Sequence, residues 1–239
     1  MPDYGQFCTV ARGAEIFGEL WTPLVVRELL CGSRRFNDIR RGVPRMSPTL
    51  LVKRLRKLEQ MGIVRRQRGI GGWEYRLTQA GEELRPIIVN IGHWGARWIS
   101  SRLRREQLDA GFLMWDIRRF IRLKEFPAKQ QVVIHFSLSD ARAGERVWWL
   151  VVENGVADLC RDDPGHEITV TVESSVRALT EIWTGDSDAQ TEMKTGRLRV
   201  QGGGHDGAAL WRWLGRSMFA PSREARPAYM PTAFKPQSG

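Results

Sequence analysis

Between residues 46 and 62 apolar and polar positions separate at helical spacing. Leu51, Leu55, Leu58 and Gly62 fall within one narrow arc at about 100° per residue, and Thr49, Lys53, Arg56 and Gln60 fall on the opposite one. Ser47 is placed to cap the helix with its hydroxyl, and Pro48 fits the first helical position, where no backbone N–H is missed. Gly62 stops it, because glycine takes a left-handed backbone at little cost. One face suits a core. The other offers long donors and a small hydroxyl to something acidic.

Three shorter helices are predicted ahead of this one. The first covers 9–17 and ends at Gly18. The second covers 22–30, with Leu24, Val25, Leu29 and Leu30 apolar and Thr22 as the cap before Pro23. A third covers 34–41 with Phe36 and Ile39 turned inward. After Gly62 the period changes. Residues 63–68 read as a strand, 69–72 as a glycine-rich turn and 73–77 as a returning strand. A helix–turn–helix followed by a two-stranded ribbon is the winged-helix arrangement, with the fourth helix in a major groove and the hairpin along the backbone or minor groove.

Thr78 then caps a longer helix. Leu84, Ile87, Ile88, Ile91, Trp94, Gly95 and Trp98 form a single stripe along it. The stripe either packs on its own domain or meets a second copy. A small winged helix has little surface to cover so long a row, which favours a homodimer through Ile87, Ile91, Trp94 and Trp98.

Residues 106–128 mix Leu113, Trp115, Ile117, Phe120, Ile121 and Leu123 with charges, and predict a connecting helix that ends before Pro127. From Lys129 the pattern is β. Residues 131–138 alternate, with Val132, Ile134, Phe136 and Leu138 on one face. Residues 146–152 are almost wholly apolar, so Trp148 and Trp149 must face opposite sides. Asn154-Gly155 marks a hairpin whose second arm is 156–160. Further strands are expected at 167–172, with Ile168 on its apolar face, and at 196–202. Helices are expected after Ser174 or Ser175, around 188–194 and over 205–219. The residues after Ala220 are rich in Pro and Ser and lack periodicity, which predicts a flexible tail over 221–239.

The expected organisation is thus a winged-helix and dimerisation domain over 1–105, a connecting helix over 106–128, an α+β domain over 129–220 and the tail. Charge sharpens this picture. From Arg34 to Arg68 there are twelve Lys and Arg against only Asp38 and Glu59, an excess of ten that equals the formal net charge of the whole chain, +10. Charge packed into one short region is what phosphate-backbone binding needs, since each neutralised phosphate releases counterions.

Several separate blocks also agree, in order, with a known family. Cys8-Thr-Val-Ala-Arg, Gly18-Glu-Leu-Trp-Thr-Pro-Leu-Val-Val-Arg-Glu-Leu-Leu, Arg35-Phe-Asn-Asp-Ile-Arg, Ser47-Pro-Thr-Leu-Leu, Arg54-Leu-Arg-Lys-Leu-Glu and Tyr75-Arg-Leu-Thr-Gln-Ala-Gly81 resemble the HxlR-type bacterial transcription regulators over residues 8–98. The resemblance implies a dimeric winged helix that binds operator DNA. Carried onto this chain, the reading helix is 47–61. The expected DNA contacts are Ser47, Thr49, Lys53, Arg56 and Lys57, with Arg34 beside them and Arg66 and Arg68 on the wing. Farther on, Thr169-Val-Thr-Val, the Gly185-Asp-Ser step between two helices and Thr195-Gly-Arg-Leu-Arg-Val-Gln-Gly202 resemble the sterol-carrier-protein-like fold over roughly 130–220. Such domains enclose an apolar tunnel, which implies a small apolar effector. Trp149, Trp183 and Trp211, with Trp213, would line that tunnel or simply fill it.

The expected function is a sequence-specific transcriptional regulator, a homodimer on a pseudo-palindromic operator in double-stranded DNA, modulated by an apolar ligand. Two alternatives stand beside it. Cys8 sits just before the first helix, where the resemblance implies that some relatives use a cysteine against oxidants or electrophiles; it is either a redox sensor or a small semi-buried hydrophobe. A nonspecific nucleic-acid-packing protein would share the salt dependence but not the sequence preference. No cofactor is expected, and no enzymatic activity: there is no supported Ser/His/Asp or Cys/His order, and the glycines before His205 lack the lysine of a phosphate loop. Three cysteines and four histidines show no metal-ligand spacing. No apolar run suits a bilayer and no signal-peptide pattern opens the chain, so a cytoplasmic location is the expectation.

Overall fold

Pro48 and Gly62 bracket the helix that organises the first half of the molecule. The computed structural model describes residues 4–99, 103–127, 130–202 and 204–220; the expected tail over 221–239 lies outside them. The chain divides into two units, Met1–Ile91 and Gly92–Gly239.

In the first unit, α1 (Thr9–Phe17), α2 (Thr22–Leu30), α3 (Phe36–Gly42) and α4 (Pro48–Gln60) are followed by the antiparallel hairpin β1 (Val64–Gly69) and β2 (Gly72–Leu77). The Ser47 hydroxyl accepts the Leu50 N–H at 3.2 Å, so α4 begins as the sequence predicts. Its end is a Schellman stop: Gly62, at φ 70°, donates to the Glu59 carbonyl, and Ile63 donates to that of Leu58. Leu51, Leu55 and Leu58 are buried against Val25, Val26 and Leu29 of α2 and Ile39 of α3. Glu28 is wholly buried, bound by Arg27 at 2.7 Å and by the Ser33 hydroxyl at 3.3 Å, while Arg27 also donates to the Gly42 carbonyl. Gly42 has no room for a β-carbon, which would overlap the Glu28 carboxyl group.

Two expectations shift here. Thr22 does not cap α2. Trp21 holds the N-cap position at φ 79°, and Thr22 is already helical, with its hydroxyl buried and without a partner among the described residues. The long helix after Thr78 is two helices. Thr78 caps only α5 (Gln79–Glu82), accepting from Gly81 N–H at 3.2 Å, and α6 (Arg85–Trp98) starts afresh. Pro86 explains the break: it has no N–H to give the Glu82 carbonyl and sits instead in the first turn of the new helix.

In the second unit a five-stranded sheet runs in the order β5–β4–β3–β6–β7. Its strands are β3 (Val132–Leu138), β4 (Val147–Glu153), β5 (Val156–Cys160), β6 (Val170–Ser174) and β7 (Leu198–Gly202). The β3–β6 pair is parallel and the others are antiparallel. Four helices accompany the sheet, α7 (Ala110–Phe120), α8 (Val176–Thr184), α9 (Ala189–Lys194) and α10 (Gly204–Leu214). Ile134, Phe136, Leu150 and Val172 form one face of the sheet and share a core with Met114 and Ile117 of α7, Leu179 of α8 and Leu210 of α10. The class is α+β, as expected from the sequence.

Some bounds differ from the sequence pattern. The connecting helix expected over 106–128 shrinks to α7, with single 3-10 turns at Arg105–Gln107 and Leu123–Glu125. Asp109 caps it, accepting Phe112 N–H at 2.7 Å, and it ends where Arg122 N–H turns to the Trp213 carbonyl. Its apolar side belongs to the core of the second unit. The strand expected at 167–172 begins only at Val170, leaving Ile168 exposed. The last helix stops at Leu214 because Gly215 takes φ 68°.

The tryptophans separate as well. Trp183 and Trp213 are buried with their indole N–H groups bonded, to Asp116 at 2.8 Å and to the Glu125 carbonyl at 3.0 Å, and Trp213 stacks on Phe126. Trp211 packs at the margin of the same core. Trp149 sits on the opposite face of the sheet, beside His135. It therefore cannot line one space with Trp183, and it leaves the expected ligand set.

Candidate nucleic-acid interface

The leucine seam of α4 faces inward, so the opposite arc must face out. Thr49, Lys53, Arg56 and Gln60 are all exposed and line an open groove of about 950 Å³ whose far walls include Glu19 and Phe36. Lys53 and Arg56 make no ion pair among the described residues. The capped, leucine-anchored helix fixes their spacing, which is what a row of donors needs to meet a fixed array of acceptors.

Not every expected contact stands on this row. Ser47 is exposed, but its oxygen already serves Leu50 N–H; Ser47→Ala is expected to lower stability by about 1 kcal/mol in urea unfolding, whatever it does to binding. Lys57 is turned to the flank. Its ammonium holds Glu19 at 2.6 Å with the side chain only 14% exposed, and burial, then the neighbouring Arg54 charge, pull it below the ordinary lysine range. While that pair holds, the Lys57 ammonium lies against Glu19 on the flank and not on the outward row. Arg34 is half-buried and donates at 3.2 Å to the Leu29 carbonyl near the end of α2.

Arg54 and Glu19 form a feature that the sequence reading passed over. Arg54 is buried, pairs with the same Glu19 carboxylate and donates to the Leu20 carbonyl at 3.2 Å. Burial pulls its guanidinium down from its ordinary value. The connection between α1 and α2 is thus pinned to the flank of α4. A signal existed, because Arg54 falls on the apolar arc with Leu51 and Leu58, where a charge needs a partner.

On the wing, Arg66 and Arg68 are exposed, as expected. The Arg66 guanidinium lies 4.0 Å from the centre of the Trp73 ring and that of Arg68 lies 5.5 Å away. Arg35 donates at 2.8 Å to the Ile70 carbonyl, fastening the wing tip to the start of α3.

Two remaining sets complete the picture. Ile87, Ile91, Trp94 and Trp98 of α6 are 46%, 51%, 59% and 40% exposed, while Ile88 is buried. Cys8 is a free, exposed thiol at the N-cap of α1. Among the described residues no helix is long and apolar enough to cross a membrane.

The HxlR-like helix-turn-helix family model matches residues 16–103, and the SCP-2 sterol transfer family model matches residues 122–204. The uncharacterised HTH-type transcriptional regulator YvaP of Bacillus subtilis is 36% identical over 91 residues, 37% of this chain and 84% of that protein. Rv3095 of Mycobacterium tuberculosis, also an uncharacterised HTH-type transcriptional regulator, is 41% identical over 96 residues, 38% of this chain and 59% of its own length. Among solved structures, quinone-bound YodB from B. subtilis is 30% identical with a TM-score of 0.33, covering 37% of this chain and 96% of that one. The reduced redox regulator HypR is 32% identical with a TM-score of 0.35, covering 37% and 90%. The chain belongs to the HxlR-like helix-turn-helix family and is a transcriptional regulator of the helix-turn-helix type, with an SCP-2-like domain after its winged helix.

Proposed function

We propose that the chain works as a homodimer in which each α4 reads one half of a pseudo-palindromic operator and each wing contacts the backbone. The observation that carries the reading is the outward row Thr49, Lys53, Arg56 and Gln60 on a helix capped at both ends, with its two cations unpaired among the described residues. The exposed apolar row on α6 supports the dimer, since Trp94 and three isoleucine or tryptophan neighbours otherwise stand in water. Two-fold symmetry in the protein then calls for two half-sites at fixed spacing.

A two-part measurement tests this. Selection of bound fragments from a random duplex pool is expected to return a pseudo-palindrome. On that duplex, Arg56→Ala is expected to weaken specific binding by about tenfold or more and competitor binding by much less, whereas Arg66→Ala weakens both alike. Equal losses on operator and random DNA for both variants would sink base readout by α4.

The family match of the second unit supports an apolar effector as the input. Such a molecule regulates only if it binds the operator-competent and incompetent states unequally. Operator affinity left unchanged by an apolar extract of the host would remove that part. A thiol input is the second reading, favoured by the exposure of Cys8. An intact oxidant response in Cys8→Ser would remove it.

A further inference from the structure

The wing has two unlike faces, and strand alternation creates them. Arg68 pairs with Trp73 and Arg66 with Tyr75, so these four side chains share one face. The other face carries Arg65, Gln67, Glu74 and Arg76. There the Glu74 carboxylate accepts two N–H bonds from Arg76, at 2.8 and 3.2 Å. The one carboxylate of the hairpin therefore answers a cation on the second face. On the first face nothing acidic intervenes, and the partner of both guanidinium groups is an indole. Trp73 lies beside the tip and remains 47% exposed, although a ring of that size gains most when it is covered.

We propose that Trp73 is a positioning residue for duplex binding. Its ring holds Arg66 and Arg68 extended from one side of the wing, and that side, rather than the Glu74–Arg76 side, meets the phosphodiester backbone. The inference rests on the reading of the chain as a duplex-binding protein and adds which face of the wing is used and what aims it. A guanidinium held over an indole ring still has N–H groups free for phosphate oxygens. Its rotamer freedom is already reduced, so less is lost when the phosphate is met. Arg35 completes the arrangement by holding the Ile70 carbonyl, so that the hairpin carrying this platform is tied at its tip. An aliphatic residue at position 73 would cover the strand without orienting the charges.

Equilibrium binding of the full chain to a labelled random-sequence duplex, followed through a KCl series, tests the proposal. Trp73→Leu is expected to weaken binding by about two- to fivefold, and Trp73→Phe, which keeps an aromatic face, to stay within about twofold of the unmodified chain. In a chain already carrying Arg66→Ala and Arg68→Ala, Trp73→Leu is expected to have no further effect, because its action passes through those two side chains. Arg66→Ala should lower the salt slope by about one, and Arg65→Ala, on the other face, should leave it unchanged. Wild-type binding by Trp73→Leu, or an equal loss in the arginine-free background, overturns the platform. A slope lowered as much by Arg65→Ala as by Arg66→Ala overturns the choice of face. If the unmodified chain fails to bind random duplex at low salt, the duplex-binding reading itself falls, an outcome distinct from the other two.

Discussion

A chain carrying Ile91→Asp and Trp94→Asp is expected to sediment as a single subunit and to lose operator affinity by about a hundredfold or more. Both side chains are more than half exposed in one copy, so their replacement removes little from the core of that copy. In the proposed dimer they lie at the two-fold contact, where two carboxylates per copy would be buried without partners. A desolvated, unpaired charge costs several kcal/mol, and the symmetry doubles every such cost. Operator affinity follows, because one subunit meets only one half-site and the second half-site no longer adds its binding free energy. Sedimentation velocity and a parallel thermal melt check the result. Dimers persisting with an unchanged melt would show that the row on α6 is not the contact.

The second large effect is internal. Gly42→Ala is expected to destabilise the winged-helix unit by about 3 kcal/mol, because the new methyl group has to displace the Glu28 carboxyl group from a fully packed site. Glu28→Ala is expected to cost a similar amount, about 3 kcal/mol, by leaving Arg27 and the Ser33 hydroxyl without their shared acceptor. The two are coupled. With the carboxyl group gone there is room for the methyl, so the double variant should lose at least about 1 kcal/mol less than the sum of the singles. Urea unfolding of the three variants measures the difference. Strict additivity would mean that α3 moves away from α2 as a body and that the packing at Gly42 is not what fixes their separation.

Local signals were strong where a helix or hairpin is decided by its own residues. Ser47, Pro48 and Gly62 bound α4, and Asn154-Gly155 and the glycines at 69–72 mark the two hairpins, because caps and turns act within a few residues. Pro86 carried an equally local signal for the break between α5 and α6, but the apolar stripe running through it read as one helix. What the pattern did not reveal is pairing across distance. Glu19 meets Arg54 and Lys57 some 35 positions downstream, so nothing local to α4 showed that Lys57, which the family resemblance put among the DNA contacts, is held on the flank. The aromatic support of Arg66 and Arg68 depends on strand register, which fixes Trp73 on their face only once the turn is known to span Ile70 and Gly71. Likewise, alternation correctly put Trp148 and Trp149 on opposite sides of β4 without saying which side the helices would cover.

The parallel pairing of β3 with β6 also bears on how the chain reaches this state. Ile134 pairs with Val170, while the helices and hairpin of the first unit close over short stretches of sequence. Contacts of long separation must meet their loop-closure entropy before they return any stabilisation, so the β3–β6 pairing is expected to form after the more local contacts. A nascent chain leaving the ribosome would hold a finished DNA-reading unit while the central strand of its second unit still waited for a neighbour.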